Sequence, residues 1–119
     1  MRLRRILGEY PTGVTIVCSL AGDGTPAGCT VSSFSPVSLE PPLVLLSLKR
    51  DTPSLDILRS CGCFSVNVLG QDQGDLALHF ARWHDDKFAG IDWHTGATGS
   101  PILNRAIAFF ECAVWRVYD

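Results

Sequence analysis

Short apolar stretches separated by turn residues run along the first half of the chain. Residues 14–20 are apolar and β-branched, a Gly-Asp-Gly turn signal occupies 22–24, and the strand pattern resumes over 27–34. This spacing predicts a β-hairpin. Prolines at 36, 41 and 42 are expected to break the next stretch, and residues 43–48 then form an apolar run typical of a buried strand.

Helical and strand patterns alternate along the second half. Asp51-Thr52-Pro53 predicts a helix start, with a helix from Ser54 to about Ser60, because a short polar residue caps free amides and proline is tolerated in the first turn. Alternation over 64–69 predicts a strand. Residues 75–82 predict a helix and 85–101 mostly loop.

The two ends of the chain complete the pattern. Leu3, Ile6, Leu7 and Tyr10 recur at helical spacing before Pro11, which predicts a short opening helix. Residues 108–117 predict a long strand with Glu111 on one face. Many short strands with two or three small helices indicate a mainly β barrel or sandwich.

Composition and charge narrow the possibilities. The 119 residues are 46% hydrophobic and 18% charged, as in a globular domain, so we expect one domain over residues 1–119. A net charge of -2 gives no electrostatic reason to bind nucleic acid or an anionic membrane. No apolar stretch approaches the length of a membrane span, and no signal peptide is recognisable, so the cytoplasm is the expected compartment. Five scattered cysteines fit reduced thiols.

Common catalytic and nucleotide motifs are absent from the sequence. It holds no Gly-x-Gly-x-x-Gly after a strand, no P-loop and no Gly-x-Ser-x-Gly. His79, His84 and His94 show no usual zinc spacing with the cysteines, which argues against a metal site. The unusual segment is 28–34, where small hydroxyl residues crowd a strand end. On composition alone it fits a polar turn.

The order of short motifs along the chain changes this interpretation, because together they resemble the short-chain flavin reductase family. The segments that carry the resemblance are Pro-Thr-Gly-Val at 11–14, Gly-Cys-Thr-Val-Ser-Ser-Phe at 28–34, Val-Ser-Leu-Glu-Pro-Pro-Leu at 37–43, Phe-Ser-Val-Asn-Val-Leu at 64–69, Phe-Ala at 80–81, Asp-Lys-Phe-Ala-Gly at 86–90, Gly-Ser-Pro-Ile-Leu at 99–103 and Glu-Cys at 111–112. They follow the family's order over nearly the whole chain.

The resemblance implies a fold, a cofactor and a reaction. Family members form an FMN-binding split barrel, pair into a homodimer and hold FMN or FAD near the subunit interface. NADH or NADPH passes a hydride to the flavin, and the reduced flavin serves a partner monooxygenase. No acid-base dyad is needed, because the flavin carries the chemistry.

The resemblance also implies which residues contact the flavin. Thr30, Val31, Ser32 and Ser33 match the segment that serves the ring, where small side chains permit close approach. Ser47 and Thr52 match the phosphate segment, and an anion is favoured at a helix N-terminus. Lys49 and Arg50 either add charge there or are solvated cations. The remaining matches are Phe80, Ala81, Lys87 and Phe88, although Phe80 equally fits helix packing.

Asn67 is a second-rank candidate, because an amide in a strand needs partners and a neighbouring backbone commonly supplies them. Glu111 and Cys112 match the family, but an outward carboxylate and an inert thiol explain them equally well.

Two departures from the family pattern leave alternatives open. The family continues past the Glu-Cys strand into a Gly-Asp-His motif and closing strands, so we expect the last strands of the barrel to be missing and dimerisation or strand exchange to cover the open edge. Pro36 replaces a small hydroxyl residue. The alternative function is a non-catalytic flavin-binding or interaction module that has lost nicotinamide binding; a weaker one is a split-barrel binder of haem or a deazaflavin.

Overall fold

An antiparallel sheet of four strands forms the centre of the computed structural model, which describes residues 14–31, 35–39, 42–48, 52, 54–82 and 86–114. The strand order in this sheet is β2-β1-β5-β8, and two further pairs, β3-β4 and β6-β7, form small two-stranded sheets. In chain order the elements are β1 (Thr15–Leu20), β2 (Pro26–Val31), β3 (Ser35–Leu39), β4 (Pro42–Leu45), α1 (Leu55–Cys61), β5 (Cys63–Val68), α2 (Gly74–Ala81), β6 (Trp93–Thr95), β7 (Pro101–Leu103) and β8 (Ala108–Ala113).

The predicted hairpin is confirmed as β1 and β2. The two strands pair in register from Thr15 opposite Val31 to Leu20 opposite Pro26. Gly24 lies in the turn at φ +89°, a conformation that glycine adopts without steric cost, and its amide donates to the Ala21 carbonyl at 2.9 Å. The turn residues seen in the sequence therefore set the register of the sheet.

The expectation that prolines break the chain after the hairpin is wrong for Pro36, which lies within β3; Pro42 begins β4, and Pro41 lies outside the described residues. Residues 35–39 form β3, which pairs with β4 across a register shift between Pro36 and Ser38. Proline is tolerated because each strand of a two-stranded sheet has an outer edge that needs no amide donor. The strand predicted over 43–48 corresponds to β4 (Pro42–Leu45), which begins one residue earlier and ends three residues earlier than predicted.

The prediction that 85–101 is mostly loop is confirmed for the described residues, but it missed a small hairpin of β6 and β7, with Trp93 opposite Leu103. Strands of three residues are too short to show alternation in the sequence. Contacts with β5 hold the hairpin, since the Ser65 hydroxyl donates to the Pro101 carbonyl at 2.5 Å. At the C-terminal side, β8 covers 108–113 of the predicted 108–117, and residues 115–119 lie outside the described part.

The two described helices agree with their predicted positions to within a residue. Gly62 ends α1 at φ 77°, and its amide donates to the Leu58 carbonyl at 3.1 Å. In α2, Leu76 and Phe80 are the buried residues. Neither helix is long enough to cross a membrane, and the described ranges hold no other candidate span. The predicted opening helix lies in residues outside the described part.

The central sheet has a buried cluster on each face, because side chains alternate along a strand. Ile16 of β1 belongs to the cluster under α2 and the 86–93 segment, which also contains Cys18, Leu69, Leu76, Phe80, Phe88 and Leu103. Val17 belongs to the cluster under α1, which also contains Cys29, Val31, Leu58, Phe64 and Val66. Strand β5 is buried on both faces, with Ser65 and Asn67 fully buried beside Val66.

Gly28 of β2 is packed directly against two aromatic rings. A Cβ atom there would lie 3.1 Å from Phe80 and 3.2 Å from Phe88. We expect Gly28→Ala to lower the free energy of unfolding by about 1–3 kcal/mol, since overpacking forces a tight core to shift. Gly22→Ala is the matched control, because nothing lies within 4 Å of its Cβ position. Urea denaturation measures both, and equal stability of the two variants would contradict the packing.

Candidate cofactor-binding site

The carbonyl of Gly28 is where the separate motifs meet. It accepts hydrogen bonds from the Lys87 ammonium at 3.0 Å and from the Ser54 hydroxyl at 3.3 Å. Lys87 also donates to the Phe80 carbonyl at 2.9 Å. Strand β2 is at one edge of the described sheet. The end of α2, the start of α1 and the Lys-Phe segment therefore converge on this edge.

The segment that carries Lys87 is fixed on both sides. The Nε2 of His79 lies 2.7 Å from the Lys87 carbonyl, so this nitrogen must carry the proton that it donates. The Phe88 amide donates to the Asp86 carboxylate at 3.0 Å, and the Phe88 ring packs edge-on against Phe80 with centroids 5.2 Å apart. Lys87 is thus held in place by its backbone as well as by its ammonium group.

Thr30 and Val31 are the described members of the predicted ring-binding segment. The Thr30 hydroxyl donates to the Ala77 carbonyl of α2 at 2.5 Å. Its oxygen keeps acceptor capacity, and the side chain is half-buried. Val31 is buried, and its carbonyl accepts from the Thr15 hydroxyl at 2.8 Å. Ser32 and Ser33 lie outside the described residues.

The predicted phosphate segment differs from its expected geometry. Helix α1 begins at Leu55 with Ser54 at the N-cap, so Thr52 lies in the preceding turn, where its carbonyl accepts from the Leu55 amide at 3.1 Å. Ser54 makes no side-chain cap, because its hydroxyl is directed to Gly28. Ser47 is exposed and Thr52 half-buried. Lys49 and Arg50 lie outside the described residues.

Asn67 lies at the centre of the sheet and is fully buried. Its amide nitrogen donates to the Ile16 carbonyl and the Ser65 hydroxyl, each at 3.0 Å, and its oxygen accepts from the Leu103 amide at 3.0 Å. The amide therefore ties β1, β5 and β7 together. This matches the structural alternative for an amide in a strand; its contact with a flavin stays a prediction.

The described candidates divide by exposure into two sets. Five are at least partly exposed: Thr30, Ser47, Thr52, Ala81 and Lys87. Four are buried, and their side chains pack in the core next to the site: Val31, Asn67, Phe80 and Phe88. The accessible set presents hydroxyls and one ammonium group, which is the donor chemistry that the oxygen-rich chain of a flavin requires.

Comparison with known proteins identifies the family. The model of the flavin reductase like domain matches residues 7–119. The chain belongs to this family. It is 41% identical to a probable flavin reductase of Rhizobium meliloti over 98% of this chain and 38% of that protein. It is 42% identical to the reductase subunit HsaB of a flavin-dependent monooxygenase of Rhodococcus jostii, over 99% of this chain and 60% of that protein.

Solved structures of flavin reductases share the fold. The chain superposes on the NADH:FAD oxidoreductase SgcE6 of Streptomyces globisporus, solved with NAD and FAD fragments, with a TM-score of 0.83 at 40% identity, covering 99% of this chain and 71% of that one. A nitrilotriacetate monooxygenase component B homolog of Mycobacterium thermoresistibile gives 0.86 at 39% identity, covering 99% and 65%. The predicted mainly β split-barrel fold is confirmed.

The sequence did not reveal two contacts near the site. The first is that of the Ser54 hydroxyl with the Gly28 carbonyl, because a single serine before a helix carries no distinctive signal. The second is that of the Glu111 carboxylate, which accepts from the Thr98 amide at 2.8 Å and hydroxyl at 2.9 Å. The Thr98 amide lowers the pKa of Glu111, whereas burial raises the pKa of Cys112 to about 11. Among the described residues, no three His, Cys, Asp or Glu side chains form a group that could hold a metal.

Removal of the Asn67 amide should destabilise the whole sheet. We expect Asn67→Ala to lower the free energy of unfolding by about 2–4 kcal/mol, because the buried partners Ile16, Ser65 and Leu103 lose their hydrogen bonds. Asn104→Ala is the control, since Asn104 is exposed and its side chain contacts the exposed His94. Chemical denaturation that gives both variants the same midpoint would refute this role.

Loss of the Lys87 ammonium should loosen the β2 edge. Lys87→Met keeps the apolar stem and removes two hydrogen bonds, so we expect a loss of about 1–3 kcal/mol. The control is Arg82→Met, an exposed cation at the end of α2, for which the change should stay within about 0.5 kcal/mol. Thermal and urea unfolding test the pair, and an unchanged stability of Lys87→Met would show that these two hydrogen bonds do not hold the β2 edge.

Proposed function

We propose that this chain is the flavin-binding part of an NAD(P)H:flavin oxidoreductase that supplies reduced flavin to a partner monooxygenase. The observation that carries the proposal is the match to the flavin reductase like domain across residues 7–119. The chain spans 38% and 60% of the first two curated relatives, so the activity of the whole protein is inferred from them.

The names of the relatives support the cofactor and the partner. A 40% identical protein of Streptomyces globisporus is an NADH-dependent FAD reductase. HsaB is the reductase subunit of a flavin-dependent monooxygenase, and BorF is the reductase component of a two-component tryptophan halogenase. We therefore propose FAD or FMN as the flavin, NADH or NADPH as the electron donor, and a flavin-dependent oxygenase as the partner.

The accessible candidates are proposed to hold the flavin. Thr30, with Ser32 and Ser33, serves the ring, whereas Ser47 and Thr52 serve the phosphate. The flavin, when bound, accepts the hydride, and the protein positions the two rings. Two of the three N–H groups of the Lys87 ammonium donate to backbone carbonyls. The third is left to bind an anionic or carbonyl oxygen at the site.

The same family membership supports three further proposals. We propose that residues 1–119 act as one flavin-binding domain, that the protein works as a homodimer, and that it acts in the cytoplasm. The homodimer is supported by exposed apolar side chains at the edge strand β8: Phe109 in the strand is 47% exposed, and Ile107 just before it is 44% exposed.

The first test is NADH oxidation by the purified protein, with and without added FMN or FAD, recorded with its visible spectrum. We expect turnover only with flavin, and a several-fold higher KM for flavin in Thr52→Val with little change in kcat, because a binding contact is lost. Ser60→Ala, an exposed hydroxyl in α1, is the control.

Flavin binding without NADH turnover would overturn the reductase and support the non-catalytic module instead. A KM for flavin that is unchanged in Thr52→Val would remove this residue from the site without affecting the proposed activity.

A further inference from the structure

A pair of thiols lies at the junction of α1 and β5, on the part of the molecule that the proposed function does not use. Cys61 is the last residue of α1, Gly62 is its C-cap, and Cys63 is the first residue of β5. Cys61 is exposed and Cys63 is partly buried, and neither is in a disulfide. Two nucleophilic side chains are therefore separated by a single glycine.

The backbone of Gly62 brings the two cysteines together. Gly62 has φ 77° and ψ -4°, so the chain folds back there instead of extending. Residues on either side of a helix-like turn have Cα atoms roughly 5.5 Å apart, from the radius and rise of a helix, and a left-handed turn gives the mirror image. A disulfide needs a Cα separation of about 4.4–6.8 Å. The turn thus satisfies the main distance requirement.

Hydrogen bonds fix this turn from three sides. The Gly62 amide donates to Leu58, and the Gly62 carbonyl accepts from the Val114 amide at 2.7 Å. The Ser19 hydroxyl donates to the Cys63 carbonyl at 2.8 Å. The two thiols are therefore presented by a backbone that the fold holds in place.

The surroundings of Cys61 lower the pKa of its thiol. The Ser19 side chain and the Cys63 backbone are the two largest causes, and burial opposes them. A thiolate is disfavoured at a helix C-terminus, but α1 has only seven residues. Cys61 is exposed, so an oxidant can reach its sulfur.

The other cysteines lack this environment. Burial raises the pKa of Cys18 and of Cys29, and it raises that of Cys112 to about 11. The thiolate is the nucleophile, and an exposed thiol with a lowered pKa reacts first with oxidants. Of Cys18, Cys29, Cys61 and Cys112, Cys61 is therefore the thiol expected to react fastest with an oxidant.

We propose that Cys61 and Cys63 form a peroxide-sensitive dithiol that closes to a reversible disulfide. The Cys61 thiolate attacks one oxygen of hydrogen peroxide, the O–O bond breaks, hydroxide leaves, and Cys61 becomes a sulfenic acid. The Cys63 sulfur then attacks the Cys61 sulfur, the S–O bond breaks, and the oxygen leaves as water with the thiol proton. Two thiols lose two electrons, which reduce one peroxide to two water molecules in total.

Tryptic digestion places the two cysteines in one fragment, which allows their oxidation to be measured directly. Trypsin cleaves after Arg59 and Arg82, so the fragment 60–82 contains Cys61 and Cys63 and no other cysteine. The reduced folded protein is treated with equimolar hydrogen peroxide, alkylated and analysed by mass spectrometry. We expect this fragment to lose two hydrogens, to regain them with dithiothreitol, and to react at least about tenfold faster than the fragments with Cys18 or Cys112.

Variants separate the two steps. Cys63→Ser should stop at a sulfenic acid on Cys61 that dimedone traps, whereas Cys61→Ser should abolish the fast reaction. Cys112→Ala is the control and should leave the rate unchanged. The rate should fall as pH decreases, because the thiolate of Cys61 is lost on protonation.

Several results would overturn the proposal. A fragment 60–82 that keeps both hydrogens while another cysteine is oxidised would do so, as would a dimedone adduct on Cys63 instead of Cys61 or a disulfide between two chains. Oxidation at the same rate in urea would show that the fold contributes nothing to the reactivity.

Discussion

The contact between Gly28 and its neighbours is the constraint on which the described site depends. With no side chain on Gly28, the Phe80 and Phe88 rings approach the backbone of β2. Its carbonyl then lies within reach of both Lys87 and Ser54. One residue thus fixes the positions of two helix ends and one loop. Any larger side chain would separate the elements that the proposed flavin site requires.

Local signals in the sequence predicted most of the large elements. The hairpin of β1 and β2 follows from a glycine turn between β-branched segments, and the periodicity of Leu76 and Phe80 gives α2 to within a residue. The hairpin of β6 and β7 could not be predicted in this way. Its strands depend on tertiary hydrogen bonds to Ser65 and Asn67, which local pattern does not contain.

The candidate site was predictable as a set of residues but not as an arrangement. The order of the motifs matched Thr30, Phe80 and Lys87 to flavin-contacting positions of one family. Only the fold shows that Lys87 bonds to two backbone carbonyls. Alternation over 64–69 predicted the strand β5 but not the surroundings of its polar residues. Ser65 and Asn67 are buried, because hydrogen bonds to β1 and β7 satisfy their polar groups. Such partners come from distant segments, so the sequence alone does not reveal them.

The capped carbonyl of Gly28 also makes the two edges of the central sheet unequal. Side chains of Lys87 and Ser54 occupy an acceptor on the outer side of β2, so another chain finds no continuous row of backbone groups there. At the opposite edge, no strand pairs with the outer side of β8 within the described residues. The free backbone groups of β8 are therefore the ones that can pair with a further strand, from this polypeptide or from another copy. Such pairing would extend the sheet on the side away from the edge that carries the proposed cofactor site.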